Sequence, residues 1–487
     1  MAVKGWFGLP FFAKDPQPEV VTCTLSGGGS RASFQLGALD YLYQHDERFT
    51  PTIFVGTSAG SIIASSLAQG RDRDEQYGYL TRLRSIWNGM REQSDMFTPR
   101  PWLSTAERQA PTLLDLMKPP RPEPPKPRQP LLQFPFLRPQ HQTPVTPPSP
   151  IEGPDPLELA LQPDEELRSD WSLATLGAMA GALSRLRLSD LNAVASGLER
   201  TRSMYRPGPV LAQLLHDEMF VPDRVAGSGM TLRIAMVGLE SGELRFMTED
   251  GQLVSRWNEP YDDTHHDLGV GVLASCSIPA VFRPVPIGGE TYVDGGAREN
   301  LPAELAIGHL GGARNYVLSS QSQGVQRRPA MTDVDLFAVV MRSTEILIDE
   351  AGRDELAYAH STGAEVVHPE LSVHDAMTVH PGLIAINEAY GWLRAAEMHL
   401  RLGPDEEARH RRIIELRMRI VQLEDHFLSL ELPLKRDVQR LRSAKVELRD
   451  LVRSAHSTPM PAGADSWWLE WERRVVPPSI DPPWLSL

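Results

Sequence analysis

At 487 residues the chain can hold one large domain or two to three ordinary ones, so core size is not limiting. Its 41% hydrophobic and 23% charged residues are ordinary for a soluble globular protein, and a formal net charge of −14 argues against nucleic acid and against electrostatic docking on anionic lipid. The two cysteines, Cys23 and Cys276, have neither metal-site nor disulfide spacing, so the expectation is no metal and a reducing, cytoplasmic compartment.

Residues 4–13 faintly resemble the apolar part of a signal peptide, but the stretch is short, broken by Pro10 and followed by Lys14-Asp15. It reads as an aromatic arm packed on the body. No run approaches the roughly 18 to 20 apolar residues that span a bilayer, so any membrane contact is expected to be peripheral, apolar and transient. Val20 to Leu25 is a β-branched run that reads as a buried strand, followed by Ser26-Gly-Gly-Gly-Ser-Arg31 and a helical pattern through Phe34, Leu36, Leu39 and Leu42. Ile53-Phe-Val55 then repeats the arrangement, running into Gly56-Thr-Ser-Ala-Gly60 and a helix from Ser61 to about Ala68. Two strand–loop–helix units in succession predict an α/β fold with a parallel sheet.

The composition changes at residues 99–156, which hold 18 of the 42 prolines. Proline at this density blocks both helix and ladder, so the segment is expected to be an exposed, extended insertion. Residues 157–220 read as helices, with Leu173, Leu176, Met179, Leu183 and Leu186 at helical spacing and a last helix from Val210 to Glu218. They form a candidate helical cap, and with the proline-rich part make an insertion at 99–220.

Met230 to Leu239 and Glu243 to Thr248 are expected to pair as a hairpin. Leu268 to Ala274 reads as a helix leading into Ser275-Cys-Ser-Ile-Pro279, and strands are expected at Thr291–Val293 and Asn315–Ser319. A helix at Val334–Glu350 and the region through Leu402 complete the sheet domain. In residues 404–456, Ile413, Ile420, Phe427, Leu434, Leu441 and Leu448 recur every seven positions, with Pro433 interrupting. The helix either kinks there or folds back as a hairpin. Packing on the chain's own body is favoured, with self-association through 405–455 as the alternative. Residues 457–487 form a tail rich in tryptophan and proline.

The chemistry centres on Ser58, placed by its flanking glycines on a sharp strand-to-helix corner. A serine hydroxyl is a poor nucleophile and needs a base, while an acyl transition state needs donors for its oxyanion. The glycines at 27–29 end a strand and open a helix, so their amides can converge where negative charge develops. Nucleotide binding by this loop fits poorly, because no Gly-x-x-x-x-Gly-Lys signature is present. Two routes to a base stand open. One is a histidine held by a carboxylate, with His360, His368, His374 and His380 as candidates. The other is a direct serine–aspartate pair, for which Asp294, at a strand end before two glycines, is well suited.

Four blocks occur in order between residues 20 and 305: Ser26-Gly-Gly-Gly-Ser-Arg31, Gly56-Thr-Ser-Ala-Gly60, Ser275-Cys-Ser-Ile-Pro-Ala-Val-Phe282 and Asp294-Gly-Gly-Ala-Arg-Glu-Asn-Leu-Pro302. Together the chain resembles the patatin-like phospholipase family. The resemblance implies a Ser58–Asp294 dyad and an oxyanion hole from Gly27, Gly28 and Gly29, with Arg31, Gly56, Gly60, Gly295 and Gly296 as motif positions. It also implies hydrolysis of fatty acyl esters, with a lipid substrate and without histidine, metal or cofactor. The implied fold is a three-layer α/β/α domain over residues 17–403 with a central, mostly parallel sheet, carrying the insertion and a helical C-terminal extension. Ala32 and Ala280 depart from the pattern, each standing where the family commonly has glycine. Transfer of the acyl group to an alcohol by the same residues is one alternative. A non-catalytic scaffold acting through its proline-rich and helical segments is the other.

Overall fold

The computed structural model describes residues 19–101, 203–216, 219–322, 324, 336–455, 458–472 and 479–486. The chain divides into two units, Met1–Arg100 with Arg202–Leu487, and Pro101–Thr201. All of the second unit except Pro101 lies outside the described residues, as do the N-terminal arm, the proline-rich stretch after Pro101 and most of the helical cap.

In chain order the first unit contains β1 (Val21–Leu25), α1 (Ser33–His45), β2 (Ile53–Thr57), α2 (Ala59–Leu67), α3 (Arg73–Gly89) and β3 (Phe97–Pro99). After the insertion come β4 (Tyr205–Pro207), α4 (Pro209–Leu214), α5 (Pro222–Gly227), β5 (Thr231–Gly238), β6 (Leu244–Thr248), β7 (Gln252–Ser255) and β8 (Pro260–His265). The remainder is α6 (Leu268–Ser275), β9 (Val285–Ile287), β10 (Glu290–Asp294), β11 (Arg314–Leu318), α7 (Leu336–Ser361), β12 (Glu365–Val367), α8 (Pro381–Leu400), α9 (Pro404–Ser429) and α10 (Lys435–Ser454).

Ten strands form one mixed sheet in the order β12-β11-β1-β2-β5-β6-β7-β8, with β10 paired to β5 and β9. From β12 to β5 every neighbouring pair is parallel, and from β5 to β8 every pair is antiparallel. The two-residue alternation of strands divides the core between two faces. Phe54, Ile234, Met236, Tyr316 and Leu318 join the cluster built with Leu39 of α1, Ile63 of α2 and Leu393 of α8. Ile53, Val55, Ala235 and Val237 face the opposite way, toward Leu305 and Ala306, and Val317 packs with Leu356 and Ala359 of α7. Helices therefore cover both faces, giving the three-layer architecture.

The expected hairpin is present as β5 and β6. The meander continues through β7 and β8, which the sequence reading did not identify, while the helix expected at Val210–Glu218 is α4, ending at Leu214. The helix expected at Val334–Glu350 runs on to Ser361 as α7. At the C-terminus Pro433 separates α9 from α10, which fold back on each other. Their seam of Ile413, Leu416, Ile420, Phe427, Leu441 and Leu448 is buried under Trp467, Trp468 and Trp484 of the tail. Leu434, on the same heptad, is half exposed because it sits at the turn. His410 of α9 meets the Glu397 carboxylate of α8 at 2.7 Å and ties the hairpin to the sheet domain. Among the described residues no helix is long and apolar enough to cross a membrane.

Candidate active site

The strand β2 ends at Thr57, and α2 begins at Ala59. Ser58 alone makes the corner, at φ 53° and ψ −127°. A non-glycine residue in this region costs about 1–3 kcal/mol and persists only where its surroundings fix it. Here both of its peptide groups are held. The Ser58 amide donates to the Ser275 hydroxyl at 3.0 Å. Its carbonyl accepts from the Ser61 amide at 2.9 Å, the Ser61 hydroxyl at 2.6 Å and the Cys276 thiol at 3.3 Å. Close approach makes Gly60 obligatory: a Cβ there would stand 2.5 Å from the Leu25 carbonyl oxygen and 2.6 Å from that of Ser26.

Strand register brings Asp294 to this corner. Along one edge of β5, Ala235 is the last residue to pair with β2, opposite Thr57. The next residue, Met236, pairs with Asp294 of β10. The aspartate therefore occupies the position just past the point where β2 turns away into Ser58. Both residues are buried, at 5% and 4% exposure, so the two side chains sit in a medium drier than water. One carboxylate oxygen, Oδ1, accepts the Gly296 amide at 2.8 Å. The other, Oδ2, is buried and has no hydrogen-bond donor among the described residues. The Ser58 hydroxyl is near enough to lower the carboxyl's pKa without forming a short bond to Oδ2. Catalytic hydrogen bonds in ligand-free sites are often long in this way. Burial outweighs both contacts and pushes the Asp294 pKa up to about 6.

The glycine loop lies against the same corner. Gly27 donates its amide to the Asn300 carbonyl at 3.0 Å, and Asn300 Nδ2 donates back to the Gly27 carbonyl at 3.4 Å. The Gly27 amide is thus occupied by the Asn300 carbonyl in this structure. Neither the Gly28 nor the Gly29 amide donates to an acceptor among the described residues. The far end of the loop is fixed by Ser30, whose amide and hydroxyl both donate to the Ala376 carbonyl at 3.0 Å. Arg31 closes this turn, and its carbonyl accepts from Asn387 Nδ2 at 3.1 Å.

Glu355 of α7 supports this arrangement from beneath. Its carboxyl accepts the amides of Asn300 at 3.0 Å and Leu301 at 2.8 Å, so one helix side chain fixes the loop that holds Gly27. Burial, with Glu299 nearby, pushes the Glu355 pKa up to about 8. Sequence reasoning gave Asn300 and Ser275 no role, although both lie in the quoted blocks. Glu355 had no local signal, being one of several acids in the stretch and lying beyond the helix expected at Val334–Glu350.

The candidate histidines have other engagements. His374 Nδ1 meets the Asp375 carbonyl at 2.9 Å and the Ser30 hydroxyl at 3.5 Å, and burial lowers its pKa to about 4. His380 caps α8 by accepting the Leu383 amide. His360 and His368 face each other with ring centres 6.0 Å apart. Among the described residues, no group of three or more His, Cys, Asp or Glu side chains is arranged to hold a metal ion. Of the two departures, Ala32 sits at φ −59°, an ordinary helical conformation in which alanine costs nothing. Ala280 sits at φ 66°, where glycine is the natural occupant.

Layered α/β architecture, a serine corner at the end of a parallel strand and a buried aspartate beside it define a protein of the patatin-like class. The model of the patatin-like phospholipase family matches residues 24–307, more than half of the chain, and the chain belongs to that family, whose members are lipid ester hydrolases. The chain is similar to the crystal structure of VipD from Legionella pneumophila at 14% identity, covering 94% of this chain and 84% of that one, with a TM-score of 0.33. It is also similar to ExoU in its heterodimeric complex with SpcU, from the type III secretion system of Pseudomonas aeruginosa. That match has 14% identity, coverage of 93% and 68%, and a TM-score of 0.24. No curated protein matches the chain.

Proposed function

We propose that the protein is a phospholipase A or esterase-type lipid acyl hydrolase, cleaving fatty acyl esters through Ser58 and Asp294 in lipid catabolism or remodelling. The carrying observation is the register that sets Asp294 beside the strained Ser58 corner. Ser58 Oγ attacks the ester carbonyl carbon and passes its proton to the Asp294 carboxylate. The resulting oxyanion is held by the Gly28 and Gly29 amides, a contribution on the order of 3 kcal/mol per donor. Collapse of this intermediate breaks the ester C–O bond. The alcohol leaves with the proton from Asp294, and the acyl group stays on Ser58. Water then attacks the acyl-enzyme, giving its proton to Asp294, which returns it to Ser58 as the fatty acid departs.

In this reading residues 17–403 form the catalytic domain and residues 99–220 are inserted within it. The substrate is reached at a membrane surface touched transiently. Lipid analysis of mixed phospholipid and triglyceride vesicles, comparing wild type with Ser58→Ala and Asp294→Asn, tests it. Both variants are expected to lose fatty acid release by roughly 10³-fold or more. Full esterase activity in Asp294→Asn, with loss on substitution of His374 or His380, would overturn the pair. Release of acylated alcohol in place of fatty acid, when alcohol acceptors are added, would reassign the reaction to acyl transfer.

A further inference from the structure

The three residues that close α6 touch both members of the proposed pair. Ser275 is fully buried, and its hydroxyl oxygen accepts the Ser58 amide at 3.0 Å. Cys276 donates its thiol to the Ser58 carbonyl at 3.3 Å, and burial raises its pKa far enough to keep it a thiol. The Ser277 carbonyl accepts the Asp294 amide at 3.0 Å. One short turn thus grips the nucleophile's residue at one end and the base's residue at the other.

We propose that Ser275, through its side-chain hydroxyl, is a positioning residue for Ser58. The inference rests on the reading of Ser58 and Asp294 given above. Ser58 stands at the start of α2, where no residue of its own helix can accept its amide. The acceptor has to come from another element, and α6 supplies it. The bonds to the Ser58 carbonyl from Ser61 are local to the first turn of α2 and leave the corner free to pivot. The Ser275 bond, with the weaker one from the Cys276 thiol, removes that freedom and refers the corner to the segment that also holds Asp294.

Ser277 provides an internal control. Its hydroxyl donates back to the Leu273 carbonyl of α6 at 2.8 Å, and its main chain reaches Asp294. The same substitution two residues apart should therefore have opposite consequences. With the full chain and a short-chain p-nitrophenyl ester, Ser275→Ala is expected to lower kcat roughly 10- to 100-fold, as a displaced catalytic group does. KM should stay within about twofold, because the lost interaction acts only in the chemical step. Ser277→Ala should keep both constants near wild type. Ser275→Thr retains the hydroxyl and should recover activity over Ser275→Ala despite its extra methyl, which a purely packing role would not allow.

Equal kcat values for Ser275→Ala and Ser277→Ala would overturn the proposal. Should Ser275→Ala fail to fold, the near-isosteric Ser275→Cys, whose sulfur is a weak acceptor, is compared with Ser277→Cys under the same criterion. Ser58→Ala and Asp294→Asn run alongside. Activity surviving in those two would overturn the reading of the pair itself, whereas their inactivity with a wild-type Ser275→Ala would overturn only the positioning role.

Discussion

The Gly27 amide donates to the Asn300 carbonyl at 3.0 Å, which links the loop after β1 to the loop after Asp294. Asn300 is itself held by Glu355, so the aim of the Gly28 and Gly29 amides depends on a carboxyl on α7. Glu355→Ala leaves two buried amides without acceptors, at a cost of about 1–3 kcal/mol each. With its pKa pushed up to about 8, the native side chain is mostly uncharged at neutral pH, so its removal relieves no large charge penalty. The expected result is a lower unfolding temperature together with a kcat loss of up to roughly 10²-fold as the proposed oxyanion donors drift. Thermal unfolding and ester hydrolysis on the same preparation check both. Wild-type kcat in a destabilised variant would separate Glu355 from the donor loop.

The pH dependence follows from the state the base must occupy. In the proposed reaction Asp294 accepts the serine proton only when ionised, and its pKa is about 6. Activity, read as kcat/KM, should therefore rise with pH through about 6 and level off above it. His374, lowered to about 4, stays neutral over this range and contributes no second limb. A limb at the ordinary aspartate value of about 4 would show that the working base is not this buried group.

The same shift makes a stability prediction of defined sign. Folding raises the Asp294 pKa from 3.8 to about 6, so the folded chain binds this proton more tightly than the unfolded one. Stability from this group is present at low pH, is lost as pH rises between these values, and is absent above them. Asp294→Asn keeps an acceptor for the Gly296 amide and removes the buried charge. It should be more stable than wild type at pH 7.5, by a few kcal/mol at most, with the gain vanishing near pH 4. Thermal unfolding at the two pH values measures it. An inactive but more stable variant would mark Asp294 as a residue kept for activity at the expense of the fold.

Legibility in the sequence followed how local each signal was. The strands β1 and β2, the corner between two glycines and the Asp294 turn are short-range patterns, and all were readable. The β7–β8 ladder escaped because β8 carries Pro260, Asp262 and Asp263, which read as loop until β7 pairs with that strand. The heptads of α9 and α10 were visible, but one periodic pattern is compatible with a straight, kinked or folded helix, and only the packing of Trp467 and Trp484 decides. The fate of the Gly27 amide was not legible. Every glycine in the loop carries the same donor, and the acceptor that singles one out belongs to Asn300, 273 residues away.

The departure at position 280 leads to a last prediction. Ala280 adopts φ 66°, and its exposed methyl gains no burial in return. The left-handed conformation costs a residue with a Cβ roughly 1–2 kcal/mol, against which glycine's greater freedom in the unfolded chain offsets about half. Its backbone is committed, since the Ala280 carbonyl accepts the Met204 amide at 2.9 Å and the Val281 carbonyl the Tyr205 amide at 2.9 Å. These bonds hold the residue in place whatever its side chain. Ala280→Gly should therefore raise stability by about 0.5–1 kcal/mol, read as a shift in denaturant midpoint with unchanged slope. The site contacts at Ser275 and Ser277 lie upstream of the strained bond, so kcat should not move. A loss of stability would mean that the turn relaxes to negative φ in solution.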